Sequence, residues 1–189
     1  MTIDDIAALA DPIDKQQIAA GIRLILSGLG EDLSRDGLKD TPERVARFFA
    51  EWGQGYRANA LTEPLERQFD VDYDDVVWVR DIAFTSLCEH HLLPFRGVAH
   101  IGYQPQENRV TGLSKLARVV NAAAGRLQVQ ERMTRQIADA LEAALNPLGV
   151  FVKLEAEHLC MTIRGVQKPG TVTITSTARG SLQSLSVAD

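Results

Sequence analysis

Val150-Phe151-Val152-Lys153-Leu154-Glu155-Ala156-Glu157-His158-Leu159-Cys160 alternates apolar and mostly charged side chains up to Glu157, the pattern of a half-buried β-strand. Side chains two apart on a strand share a face, so His158 and Cys160 are expected to point the same way. They answer an earlier loop, Cys88-Glu89-His90-His91, in which a thiol and an imidazole three residues apart have the bite that tetrahedral Zn²⁺ accepts. Cys88, His91 and Cys160 together make three ligands and leave a fourth position open, the catalytic rather than the structural pattern. His90 and His158 then remain for proton transfer. Two plainer readings stand beside this one: the chain's two cysteines are buried thiols, or they join in a disulfide. Three of the four histidines fall within a few residues of those cysteines, which favours the metal.

Working outward, Val76-Val77-Trp78-Val79 begins a β segment that runs toward Phe84 and delivers the chain to Cys88. Gly97 to Tyr103 reads as the returning strand of a hairpin whose turn carries the Cys-Glu-His-His loop. His100, within that strand, has no evident partner and is read as structural. Gly112-Leu113-Ser114-Lys115-Leu116-Ala117-Arg118 turns into a helix with Ser114 as N-cap. Lys115 and Arg118 lie three apart near its positive end, an anion site suited to phosphates. A second helix buries Val129, Met133, Ile137, Ala140, Leu141 and Ala144 and ends near Asn146-Pro147. Gln130 and Glu131 stand at its start, where an acid is common for helix-dipole reasons alone. The strand from Val150 is expected to continue past Cys160 to Gly165, which would set Arg164 on the face of His158 and Cys160. Lys168-Pro169-Gly170 makes a turn, Thr171 to Thr175 a closing strand, and the tail from Ser181 is expected to be mobile.

Upstream, residues before about Pro12 read as a loose arm. Ile18, Ile22, Ile25 and Leu29 keep helical spacing, with Gly28 and Gly30 at the end. Thr41 as N-cap with Pro42 behind it starts a second helix, along which Val45, Phe48, Phe49 and Trp52 line one face before Gly53 stops it. Arg44 and Arg47 are neighbours on that helix, and the plainer reading of the pair is a solvated face. Gly53 to Asp75 reads as loop. The expected division is 1–53 as an N-terminal helical region and 54–189 as the main domain. The β-β-α-α-β-β order of the latter makes the class α+β with an antiparallel sheet. Such a four-stranded sheet has open edges, which ring-like assembly would close.

The whole-chain numbers exclude several classes. A chain of 189 residues suffices for one well-buried domain with a smaller appendage. A net charge of −5 argues against a nucleic-acid partner, since phosphate-backbone affinity needs a basic face. No apolar run approaches a membrane span, and Met1-Thr2-Ile3-Asp4-Asp5 lacks the basic start of a signal peptide. The expectation is a cytoplasmic protein, where thiols stay reduced and available to metal.

Phe84-Thr85-Ser86-Leu87-Cys88-Glu89-His90-His91, Gly112 to Arg118, Gln128-Val129-Gln130-Glu131-Arg132 and Cys160-Met161-Thr162-Ile163-Arg164-Gly165-Val166-Gln167-Lys168 resemble, in that order, the motifs of GTP cyclohydrolase I. The resemblance runs from the Thr41-Pro42 helix to Thr177. It implies the tunnelling fold (ββααββ behind N-terminal helices), with the sheet closing into a pentameric barrel, two pentamers forming a homodecamer, and active sites at subunit interfaces. It implies a zinc-dependent hydrolase that opens GTP at C8 of guanine and rearranges it to 7,8-dihydroneopterin triphosphate plus formate, an entry to tetrahydrofolate and related pterins. By position, Cys88, His91 and Cys160 match the zinc ligands, and His90 and His158 the acid–base histidines. Gln130 and Glu131 match the guanine-recognising pair. Ser114, Lys115, Arg118 and Arg164 match the ribose-triphosphate side, with Arg44 and Arg47 supplied by a neighbouring subunit. Arg47 stands where some members have Lys, which keeps the charge but not the shape, and residues 177–182 depart from the family's usual ending. Two rivals are another tunnelling-fold enzyme and a non-catalytic, zinc-stabilised binding module. The polyphosphate cations speak against the first, and the open ligand position with free His90 and His158 against the second. A zinc nucleotide deaminase would need His-x-Glu with Pro-Cys-x-x-Cys, which is absent.

Overall fold

The computed structural model describes residues 13–186, so the arm expected before Pro12 lies outside the described residues. The chain divides into two units between Ala58 and Asn59, and each is taken by itself.

In the first unit, helix α1 (Lys15–Gly28) starts where the Asp14 carboxylate accepts the Gln16 and Gln17 backbone N–H groups, both at 2.9 Å. Two of the donors that every helix start leaves unmade are thereby satisfied. Helix α2 (Thr41–Trp52) begins one residue earlier than expected: Asp40 is its N-cap, without a side-chain cap bond. The Thr41 hydroxyl donates back to the Gly37 carbonyl instead, at 3.3 Å. Pro42 sits in the first turn, where its missing N–H costs nothing. Phe48, Phe49, Trp52 and Tyr56 form a row of edge-to-face rings with centroids 5.3 to 6.5 Å apart. Arg23 and Glu43 make an ion pair between the two helices.

The second unit contains β1 (Gln68–Asp70), β2 (Val77–Cys88), β3 (Pro94–Gln104), β4 (Arg109–Thr111), α3 (Leu113–Ala124), β5 (Leu127–Gln128), α4 (Gln130–Leu145), β6 (Gly149–His158), the helical turn α5 (Leu159–Thr162) and β7 (Val172–Gly180). The α+β class and the β2–β3 hairpin are as expected. The sheet has five strands rather than four, in the order β5-β2-β3-β6-β7. The addition is β5, which runs parallel to β2 through Leu87↔Leu127 and Cys88↔Gln128 and is too short to show a period. A separate β1–β4 ribbon lies partly in the stretch expected as loop. On one side of the large sheet, Leu116, Val119 and Val120 of α3 and Met133, Ile137 and Leu141 of α4 are fully buried with strand residues such as Phe95, Ile101 and Leu154. Burying each such side chain stabilises by about 1.5–3 kcal/mol. Helix α4 ends at Asn146, whose left-handed backbone (φ 44°) makes the C-cap before Pro147.

Three expectations are corrected. First, Lys153 on the polar side of β6 is not in open water. Lys153 is only 9% exposed, its ammonium lies 3.2 Å from the Glu155 carboxylate, and Trp78 packs edge-on to Phe151. His100 also has a partner. Its Nδ1 accepts the Asp81 N–H at 3.3 Å, at a bulge where the β2–β3 register slips between Val79 and Ile82 and Asp81 takes φ 58°. Secondly, the strand from Gly149 stops at His158 instead of running to Gly165. Leu159 to Thr162 winds into one helical turn, closed by Ile163 N–H to Leu159 O at 3.0 Å. Gly165 then takes φ 60°, a conformation glycine adopts without a Cβ penalty, and Lys168 N–H bonds Met161 O at 2.9 Å. Thirdly, the start of the tail is anchored: Ser181 bonds Leu148 O through its N–H and Gln104 Oε1 through its hydroxyl, and Leu182 is buried. Residues 187–189 lie outside the described residues.

A candidate metal centre with a pinned histidine

Cys88 ends β2 and is buried within the helix-covered core, only 5% exposed. The chain then folds back at once. Leu92 N–H bonds Cys88 O at 2.8 Å and Cys88 N–H bonds Leu93 O at 2.9 Å, with Leu92 in the left-handed region at φ 55°. This tight reversal brings His91 Nδ1 to 3.9 Å from Cys88 Sγ. Cys160 arrives from the α5 turn, and the ligand atoms of Cys88, His91 and Cys160 all lie within 4.8 Å of one another. Ligand atoms on a tetrahedral zinc with two thiolates and an imidazole stand about 3.4–3.8 Å apart, so the three residues fit such an ion with small adjustment. Both cysteines are free thiols. Burial, and next the neighbouring Cys88 thiol, push the Cys160 thiol above its ordinary pKa. A bound dication reverses that preference by favouring both thiolates.

His158 is fixed from two sides. Its ring stacks on Phe95, its register partner, at 4.5 Å and 2°. Its Nε2 lies 2.8 Å from Gln130 Oε1. The Gln130 amide nitrogen donates to Leu154 O at 3.1 Å and Thr173 O at 3.0 Å. Carbonyls only accept, so the amide orientation is settled and Oε1 must face His158. His158 Nε2 therefore carries a proton and donates, which leaves Nδ1 as the nitrogen available elsewhere. Burial pushes the His158 pKa below its ordinary value, with the Glu131 charge acting the other way. His90, by contrast, has its side chain 64% exposed beside Glu89.

The other expected residues are distributed as follows. Arg164 donates from Nη1 to His91 Nε2 at 2.7 Å, so the helical turn brings it to the metal group although the strand does not continue. Helix α3 takes Gly112 as N-cap, and Ser114 is its second residue. Ser114 and Arg118 are exposed and Lys115 is half-buried. Glu131 is exposed in the first turn of α4, while Gln130 beside it is only 1% exposed. In the helical unit Arg44 donates to Gly37 O and Thr41 Oγ1 and lies 3.7 Å from the Asp40 carboxylate. Arg47 lines a cavity of about 370 Å³ with Lys15, Ala19 and Arg23. Sequence reasoning missed the Gln130–His158 bond and the Phe95 stack. The only available signal was a glutamine at a helix start, which carries no periodicity.

Comparison with known proteins matches residues 18–187 to the family described as GTP cyclohydrolase I. The chain is 55% identical over 168 residues to GTP cyclohydrolase 1 of Carboxydothermus hydrogenoformans, covering 89% of this chain and 87% of that protein. It is 54% identical over 168 residues to GTP cyclohydrolase 1 of Streptococcus pyogenes, covering 89% and 86%. Among solved structures, the archaeosine synthase QueF-Like in the apo form aligns over 56% of this chain and 94% of that one, with a TM-score of 0.46 and 16% identity.

Proposed function

The chain belongs to the GTP cyclohydrolase I family, and from that premise we propose how its own residues convert GTP to 7,8-dihydroneopterin triphosphate and formate. The observation that carries the proposal is the convergence of Cys88, His91 and Cys160 within 4.8 Å. Those three residues would hold the zinc. A zinc bound there with an open position supplies Lewis acidity, lowering the pKa of a water to about 7.

The remaining work falls to the protein groups. Glu131, at the exposed start of α4, accepts hydrogen bonds from guanine N1–H and the exocyclic amine, a donor pair that adenine lacks. Gln130 has its amide committed to the interior, so its side chain serves the base through His158. His158 exchanges a proton with the guanine imidazole ring at Nδ1, because Nε2 is held by Gln130. His90, exposed to water, is the second proton carrier. Lys115, Arg118 and Arg164 meet the triphosphate by charge-assisted pairing, and Ser114 meets the ribose. Four negative charges, roughly those of GTP, exceed three cations; Arg44 and Arg47 of a neighbouring subunit complete the match.

Assembly into a decamer of two pentamers is part of the same proposal. Its support is that, among the described residues, β7 has no strand on its outer side and exposes Val172 and Ile174, and that the opposite edge is the two-residue β5. Uncovered edges of this kind favour pairing with another copy. No helix among the described residues is long and apolar enough to cross a membrane, and we place the reaction in the cytoplasm. The deciding experiment incubates zinc-loaded protein with GTP. Formate is expected, together with a dihydropterin that becomes a fluorescent pterin when iodine is then added as oxidant, and zinc-loaded protein that releases neither overturns the proposal.

A further inference from the structure

Two residues inside the motifs have no part in the chemistry above: Glu89, between the ligands Cys88 and His91, and Arg132, in the first turn of α4. The structure joins them. Arg132 Nη2 pairs with the Glu89 carboxylate and also donates to Leu127 O at 3.1 Å, while its Nε donates to Gln128 Oε1 at 3.0 Å. Gln128 is fully buried and donates from its amide nitrogen to Ala123 O at 2.9 Å and Gln136 Oε1 at 2.8 Å. Its Oε1 is thereby fixed toward Arg132. Glu89 N–H bonds Gln128 O at 3.0 Å, so the turn is tied to β5 through its backbone and to α4 through its side chain. One guanidinium thus grips a strand carbonyl, a buried amide and the carboxylate of the metal-ligand turn together. Only a planar fork with several donors can do this; the ammonium of lysine cannot. The turn it grips includes Leu92 in a left-handed conformation (φ 55°), which a non-glycine residue holds only when its surroundings impose it.

We propose that Arg132 is a positioning residue for the metal site, which through Glu89 holds the Cys88–His91 turn in the geometry that accepts the ion. The inference rests on the reading of Cys88, His91 and Cys160 as ligands. Partners that orient metal ligands from behind typically change metal affinity by about 10–100-fold when removed.

The test is zinc affinity, not turnover. Protein freed of metal by chelation is titrated with zinc against a chromophoric chelator, for the parent, Arg132→Ala, Arg132→Lys, Glu89→Gln and the Arg132→Ala/Glu89→Gln double variant. Arg132→Ala is expected to bind zinc about 10–100-fold more weakly, with Arg132→Lys recovering only part of the loss. Glu89→Gln is expected to move the same way, and the double variant to be less impaired than the two losses multiplied, because both act through one contact. A merely structural Arg132 would instead lower the melting temperature of zinc-free and zinc-loaded protein alike and leave affinity unchanged. Affinity within about twofold of the parent in Arg132→Ala overturns the inference. Should that variant not fold, parental affinity in Glu89→Gln, a change at a partly exposed carboxylate, does the same. A parent that binds no zinc overturns the ligand reading first, and this inference with it.

Discussion

Cys88 is the last residue of a twelve-residue strand and lies in the core, with sheet, helix and turn all bonded around it; Cys160 sits in one helical turn beyond the end of β6 and is half-buried. The first is placed by the whole sheet. The second is placed by a local loop, closed by Ile163 N–H to Leu159 O and Lys168 N–H to Met161 O and reversed at Gly165. A wall set by the sheet and an arm set by a local loop therefore bring their thiols, with His91, within 4.8 Å. The arm also carries Arg164, which touches His91, so one loop brings both a thiol and a cation to the Cys88–His91 turn.

That contrast predicts unlike consequences for like substitutions. The largest effect is expected for Cys160→Ala, which removes zinc from about one ion per chain to none and abolishes GTP turnover, yet leaves the melting temperature of the zinc-free protein unchanged. Cys88→Ala also loses zinc, but costs the zinc-free protein about 1 kcal/mol through the small cavity left in the core. Metal analysis and thermal melts of both variants check this; equal melts for the two would break the contrast.

Next in size is Glu131→Gln. It exchanges a carboxylate with two acceptors for an amide with one and is expected to lower kcat/KM for GTP about 10- to 150-fold, the worth of hydrogen bonds to a charged group at about 1.5–3 kcal/mol. Zinc content and assembly stay parental. Steady-state kinetics with metal analysis is the check, and parental turnover would make Glu131 a helix-start acid only.

A smaller effect tests the arm itself. Gly165→Ala forces a Cβ onto φ 60°, at a cost of about 1–2 kcal/mol. Because the strain falls on the loop holding Cys160 and Arg164, it should appear as a roughly 5- to 30-fold loss of zinc affinity with the zinc-free melt little moved. A fall in the melt without a change in zinc affinity would show that the arm is as much part of the core as the wall.

The smallest effect concerns the wall alone. Tyr103 is fully buried, and its hydroxyl accepts the Thr111 N–H at 3.2 Å. Burial raises its pKa above the usual value of 10.0. The folded state then keeps the proton while the unfolded state loses it, so stability is full below about pH 10 and falls as pH rises above it. Tyr103→Phe should flatten that alkaline limb, at a cost near neutral pH of about 1 kcal/mol for the N–H left unpaired. Chemical denaturation at pH 8 and pH 11 measures both, and an unchanged alkaline slope would remove Tyr103 from the account.

Much of this molecule can be read from residue order alone. The hairpin into Cys88, the two core helices and the ligand trio follow from short-range patterns: alternation over strands, helical spacing from Val129 to Ala144, and side-chain chemistry that few contexts share. The same reasoning expected Cys160 and Arg164 on one strand face with His158; the chain turns helical there instead, and that turn is what brings both near Cys88 and His91. Lys153 looked solvent-facing because alternation reports polarity, not what that face meets. What only the tertiary structure decided is which atoms face one another across long sequence separations. Gln130 meets His158 and two strand carbonyls, Arg132 meets Glu89 and Gln128, and Phe95 meets the His158 ring. A hydrogen bond of this kind needs an angle and a distance of about 3 Å, and those are set by how strands register and helices dock. Residue types name the chemistry that is possible; the fold selects the single nitrogen, oxygen or sulfur that is aimed at it.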